Sequence, residues 1–193
     1  MLLGGTDVCG DDEHGQHRII AIVMGTHDAI NALRNNIHVK EIHMSKISEK
    51  ARIEVMQKLD FRNNDLFALS LEVEKVKTVK EIHERNKQKD KYYDIKLPYQ
   101  HFDALLLSKI RSKMEGFSYR FDSGITNIMM ECDNDMYDTI RSWRMQRKSE
   151  GKAYELADAV AYCHNKRKKI RGCTTINLVK DLRKQMNKDL LIK

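Results

Sequence analysis

Three carboxylates stand where they could do chemistry together. Asp7 closes the first apolar stretch of the chain, Asp133 closes a later one behind Glu131, and Asp158 lies among small residues in Tyr154–Tyr162. In an extended chain alternate side chains share a face, so Leu3, Gly5, Asp7 and Cys9 point one way, and Glu131 goes with Asp133. On a helical wheel of about 100° per residue, Ala153, Tyr154, Leu156, Ala157, Val160 and Ala161 form one apolar arc with Asp158 at its edge. A carboxylate at that edge is neither fully solvated nor fully buried, and a divalent cation is an efficient partner for it. Two strand-end carboxylates and one on a helix can meet at a sheet edge. Such hard oxygen ligands suit Mg²⁺ or Mn²⁺. Two such ions about 4 Å apart would activate a water and stabilise the leaving oxygen of a phosphodiester. Each acid also has an ordinary reading: Asp7 as a turn residue, Asp133 as the N-cap of a following helix, Asp158 as a solvated partner of a lysine.

Rival chemistries find less support. The spacing of His14, His17, His38 and His43 matches no zinc pattern. Cys9 with His14 lacks a third group to orient a base, which a thiol nucleophile needs. Neither a phosphate-binding GxxxxGK[ST] loop nor a GxGxxG fingerprint occurs, so nucleoside triphosphates and dinucleotides are disfavoured. Trp143 among Arg141, Arg144 and Arg147 could stack on a base, but a lone tryptophan with basic neighbours is more often a core residue.

The elements that must position these acids follow from the apolar pattern. Leu2–Cys9 and the continuous run in Arg18–Thr26 read as two strands joined by a polar turn, hence an antiparallel hairpin. His27–Asn35 reads as a short helix, Ile37–Met44 as a strand, and Ser48 as the N-cap of a helix carrying Ile53, Met56 and Leu59. Leu66–Val73 is a further strand. Lys75–Lys91 is a charged stretch with a thin apolar stripe, an exposed helix or a flexible insertion. The sole proline, Pro98, suits the first turn of the helix that follows. Phe117–Phe121 reads as a short strand, Ile125–Asp133 as the next, then helices at Met136–Arg147, Lys152–Asn165 and Leu178–Leu191. Strands interleaved with helices behind an opening hairpin mean α/β with a mixed sheet.

The length of 193 residues fits one domain, taken as residues 1–193 with a charged helical insertion near 75–96. The net charge of +7 is concentrated in Lys75–Lys96, Arg141–Lys152, Lys166–Arg171 and Lys180–Lys193, surfaces that attract polyanions. No apolar run reaches the ~20 residues of a membrane-spanning helix. The start lacks a secretory pattern and the four cysteines form no CxxC pair, so a cytoplasmic protein with reduced cysteines is expected.

Three segments carry a family resemblance. Gly5-Thr6-Asp7-Val8-Cys9, a polar turn and Ile19-Ile20-Ala21-Ile22-Val23 resemble the first hairpin of the ribonuclease H-like superfamily. Met129-Met130-Glu131-Cys132-Asp133 resembles its later acidic strand, and Glu155-Leu156-Ala157-Asp158-Ala159-Val160-Ala161 its C-terminal acidic helix. The resemblance spans most of the chain as an order of elements and points to uncharacterised members more than to the well-known nucleases. It implies a ribonuclease H-like mixed sheet with flanking helices and a metal-dependent nuclease or phosphodiesterase. Asp7, Asp133 and Asp158 would bind Mg²⁺ or Mn²⁺, and nucleic acid, DNA or RNA, would be the partner. The first acid could equally be Asp11 or Asp12. A mid-chain glutamate is frequent in the family, and Glu41 is the candidate for it. The alternatives are a non-catalytic nucleic-acid or protein-binding module on the same fold, and a structural protein acting through Lys75–Lys96. Convergence of the three carboxylates separates the enzyme from both.

Overall fold

The computed structural model describes residues 2–10, 17–121, 128–132, 146–148 and 151–192. Among these, six strands form one mixed sheet. β1 (Leu2–Cys9) and β2 (Arg18–Thr26) pair antiparallel, with Leu2 opposite Thr26 and Cys9 opposite Ile19. β3 (Leu66–Val73) runs antiparallel to β2. β4 (Met129–Cys132) lies parallel to β1 on its other side, and β5 (Gln146–Lys148) lies parallel beyond it. β6 (Cys173–Asn177) pairs parallel with β3 at the far edge, giving the order β5-β4-β1-β2-β3-β6. An opening antiparallel hairpin beside parallel strands is the mixed sheet expected from the sequence.

Six helices flank it among the described residues: α1 (His27–Asn36), α2 (Glu49–Lys58), α3 (Lys75–Lys87), α4 (Lys96–Ser118), α5 (Lys152–Asn165) and α6 (Val179–Leu190). The period-2 alternation of the strands sorts their side chains into two cores. Leu2, Ile20, Ile22, Met24, Leu69 and Leu71 pack against α3, α4 and α6. Leu3, Ile19, Ala21, Val23 and Ala68 pack against α1, α2 and α5. The continuous apolar run of β2 is therefore explained by its central place: it feeds both layers, and from Ile19 to Gly25 it is buried throughout. Local capping fixes where the helices start. The Ala29 N–H donates to Thr26 Oγ1 at 3.2 Å, and the Ala51 N–H donates to Ser48 Oγ at 3.3 Å.

The charged Lys75 segment is a packed helix. Thr78, Val79, Ile82 and Asn86 of α3 are buried. Pro98 sits in the first turn of α4, where its missing N–H breaks no ladder.

Three sequence expectations are corrected. Ile37–Met44 is not a strand but a loop of bends and turns. The Arg34 guanidinium gathers the carbonyls of Ile37, Val39 and Lys40 at 3.2, 2.9 and 3.1 Å, so those groups face one cation instead of a neighbouring strand. Its apolar residues Ile37, Ile42 and Met44 are buried all the same, in the helical layer. Phe117–Phe121 is the end of α4 and a 3-10 turn, because Phe117 and Phe121 meet at helical spacing, with ring centroids 5.2 Å apart. The expected helix Met136–Arg147 overlaps β5 at its end, and its body, residues 136–145, lies outside the described residues. β6 is an element on which the sequence raised no expectation. Of the longer strand expected over Ile125–Asp133, residues 128–132 are described, and Met129–Cys132 is strand.

Candidate functional site

The site is built where α5 lies on β1. Gly5 permits the approach: a Cβ there would fall 2.1 Å from the Ala153 carbonyl and 2.4 Å from the Tyr154 nitrogen. Glu131 then fastens the helix start. It lies opposite Gly5 on β4, and its Oε2 accepts the Ala153 N–H at 2.7 Å and the Tyr154 N–H at 3.1 Å. A carboxylate on the first N–H groups of a helix satisfies orphan donors and meets the positive end of the dipole. Gly151 makes room for that carboxylate, since a Cβ at this position would lie 2.0 Å from Glu131 Oε1.

Anchored in this way, α5 presents two carboxylates along its length. Glu155 is held by Arg34 and accepts the Ile42 N–H at 3.1 Å. Asp158 Oδ2 accepts the Met44 N–H at 2.8 Å and stands 3.3 Å from His43 Nδ1. Both therefore pin the loop between α1 and α2 onto α5. Burial lifts the Asp158 carboxyl above the ordinary aspartate range. The Met44 N–H and His43 pull it back, and the Glu155 charge pushes it up again. Asp158 Oδ1 has no hydrogen-bond partner among the described residues.

Asp7 is 7% exposed and sits on the α5 side of the sheet, on the strand face shared with Leu3 and Cys9. Cys9 connects it to Asp158. Burial first, then the charges of Asp7 and Asp158, hold the Cys9 thiol above its usual range. The charges of two of the three expected acids thus reach one thiol. That thiol stays protonated near neutral pH, which removes a thiolate nucleophile.

Asp133 lies outside the described residues, as do Asp11 and Asp12. Among the described residues, no group of three or more His, Cys, Asp or Glu is placed to hold a metal ion. Glu41 is exposed on the loop and borders a cavity of about 540 Å³ that Lys40, His43, Gly151, Tyr154 and Glu155 also line. Sequence reasoning missed Glu131 and Glu155 as organisers. Glu131 had a signal in its place two residues before Asp133, and Glu155 in its spacing of three from Asp158. Arg34 carried none, because its role depends on a loop conformation.

No described helix is long and apolar enough to cross a membrane. No protein-family model and no curated protein matches the chain. Solved structures similar to it include a chain of the PCNA:RNase HII complex from Archaeoglobus fulgidus, at 13% identity and a TM-score of 0.46. Another is the ribonuclease H2 from Pyrococcus horikoshii OT3, at 18% identity and a TM-score of 0.48. Each alignment covers 87% of this chain and 74% of the other.

Proposed function

We propose that the chain is a Mg²⁺- or Mn²⁺-dependent nuclease acting on nucleic acid, with Asp7, Asp133 and Asp158 as metal ligands and Glu41 assisting from the rim of the adjoining cavity. The observation that supports this reading is that Asp7, 7% exposed on the α5 side of the sheet, and the largely buried Asp158 of α5 both act on the Cys9 thiol. Like charges near one another on a buried face raise each other's proton affinity, and a bound cation would offset part of that cost. The donor set fits a hard divalent ion: both are carboxylates, and Asp158 keeps Oδ1 free of protein hydrogen bonds among the described residues. When bound, the ion would supply an activated water and positive charge for the phosphate oxygens.

The residues of the chain itself do the positioning. Glu131 fixes the start of α5, and Arg34 fixes Glu155 together with the loop carrying Glu41 and His43. Lys40, at the border of the cavity, offers a cation to a substrate phosphate. Incubation of single-stranded, duplex and hybrid oligonucleotides with Mn²⁺ tests the reading. Cleavage that disappears in Asp158→Asn, with the fold retained by circular dichroism, is the expected result. Unchanged cleavage in that variant would reject the role of Asp158. Binding of the oligonucleotides with no metal-dependent cleavage would favour a binding module instead.

A further inference from the structure

β6 ends the sheet, with β3 on one side of it and no strand on the other among the described residues. It runs parallel to β3 with Asn177 opposite Glu72, and the Leu178 N–H donates to Glu72 O at 2.9 Å. Backbone groups alternate in direction along a strand. Thr174 and Ile176 therefore turn theirs to β3, and Cys173, Thr175 and Asn177 turn theirs outward. The Cys173 N–H is taken by Ile170 O at 3.4 Å. The Cys173 carbonyl, both backbone groups of Thr175 and the Asn177 N–H remain along the outer edge, with no hydrogen-bond partner among the described residues. Only the approach to the edge is covered: Asp60 bridges Arg171, and the Phe61 N–H donates to Arg171 O at 2.8 Å. Exposed edges are commonly blunted by a proline, an inward charge, a bulge or a covering helix. Cys173-Thr174-Thr175-Ile176-Asn177 has neither proline nor charge, and Thr174, Thr175 and Asn177 are exposed.

We propose that this edge is a docking site for a partner protein, which adds one extended strand to β6 and sets acidic residues flanking that strand on the basic run before it. The edge would serve so whether or not Asp7 and Asp158 bind metal. Strand addition draws affinity from main-chain hydrogen bonds and specificity from side chains. The open row of Cys173, Thr175 and Asn177 supplies the first. Charge supplies the second: Lys166, Arg167, Lys168, Lys169 and Arg171 are all exposed. Arg167 pairs with Glu72 at 3.3 Å, and the other four have no ion pair among the described residues. Beside the edge opens a cavity of about 330 Å³, bordered by Lys168, Lys169, Cys173 and Thr175. Cys173 and Thr175 are alternate residues, so their side chains share a face, and an added strand would stand about 4.8 Å beyond them. A carboxylate of that strand on the same face would meet Lys168 and Lys169.

Two other occupants fit the edge less well. A nucleic-acid strand offers phosphates to the lysines but no ladder of N–H and C=O groups, so Thr175 and Asn177 would stay unpaired. A second copy of this chain could pair β6 with β6, but a two-fold contact would bring both basic runs into one interface, where like charges repel. Cations after a helix C-terminus also complement its dipole, a benefit to stability that gives no reason for the open edge.

The test titrates the full chain with a fluorescein-labelled peptide pool, in which Glu/Asp tracts flank a randomised Val/Ile/Thr segment, and with the same pool carrying Lys in place of Glu and Asp. The acidic pool is expected to bind at least about tenfold more tightly than the lysine pool, and Lys168→Glu/Lys169→Glu to remove that preference. Thr175→Pro deletes one outward N–H without touching the ladder to β3, and should weaken binding by about tenfold. In amide exchange followed by NMR, the acidic pool should slow Thr175 and Asn177 and leave Thr174 and Ile176 as protected as before. Absence of binding, equal binding of the two pools, unchanged affinity in a folded Thr175→Pro, or unchanged exchange at Thr175 and Asn177 would each overturn the proposal. Should Thr175→Pro melt below the wild type, the exposed-lysine variant and the amide exchange decide alone. A single-stranded oligonucleotide in EDTA that binds more tightly than the acidic pool, through Lys168 and Lys169, would assign the run to nucleic acid. Self-association that is lost in Thr175→Pro would assign the edge to a second copy. Either result overturns the proposal.

Discussion

Asp158 has opposing demands on it, and they can be measured. Burial raises its carboxyl, so the protonated form is favoured in the folded chain relative to the unfolded one. The sign follows from linkage: this stability is complete below the ordinary aspartate range and is lost as pH rises through the raised folded value. At neutral pH without metal, Asp158→Asn should therefore melt higher than the wild type, and the difference should shrink as pH falls toward acid. Mn²⁺ should reverse the order, raising the melting temperature of the wild type and leaving the variant unmoved. Thermal melts across pH, with and without Mn²⁺, read both effects. Glu131 behaves in the opposite sense. Glu131→Ala leaves two N–H groups at the start of α5 without their acceptor, at about 1–3 kcal/mol for each buried group. A loss of that order in urea titrations is expected, against a smaller loss in Glu131→Gln, which keeps an acceptor oxygen.

The element that decides the geometry of the site is the loop between α1 and α2. Arg34 holds three of its carbonyls and Glu155, while α5 receives its Ile42 and Met44 N–H groups. Arg34→Ala would leave the carboxylate of Glu155 without its cation, a change that costs roughly 3–5 kcal/mol when such a pair is buried and less here, since Glu155 is 20% exposed. Faster hydrogen exchange at Ile42 and Met44 than at β2 residues is the expected signature; equal protection of the loop would remove Arg34 as its organiser. This loop is also where the sequence was least readable. Ile37, Ile42 and Met44 do face a core, so their apolar character was a true signal. What fixed the backbone was a side chain on the preceding helix, and no periodicity records that. By contrast, β1, β2, β3 and α5 were legible, because each buries one or two faces with the period its backbone dictates. The short edge strand β6 was not, since Cys173–Asn177 is only partly covered and alternates weakly.

At the scale of the whole molecule, one sheet between two helical layers brings Asp7, Asp158 and the basic end of α5 to the same face. The carboxylates of the site were legible as candidates because of where they fall on strands and helix. Their partners Glu131, Glu155 and Arg34 were not, because those contacts join residues distant in the chain. With a net charge of +7, the proposed binding to nucleic acid should weaken with salt, and affinities measured at rising salt should fall log-linearly. Salt-independent affinity would separate the charge from the function.

The central claim, that Asp7, Asp133 and Asp158 share a divalent ion, is tested most directly by a crystal grown with Mn²⁺ and its anomalous difference map. The expected result is a peak ligated by Asp7 and Asp158 oxygens, with Asp133 completing the set, at about the short distances of hard-ion coordination, ~2.1 Å. The contradicting result is no peak at these residues, or Asp7 and Asp158 carboxylate oxygens more than about 8 Å apart, beyond what a two-ion site with ions ~4 Å apart could bridge.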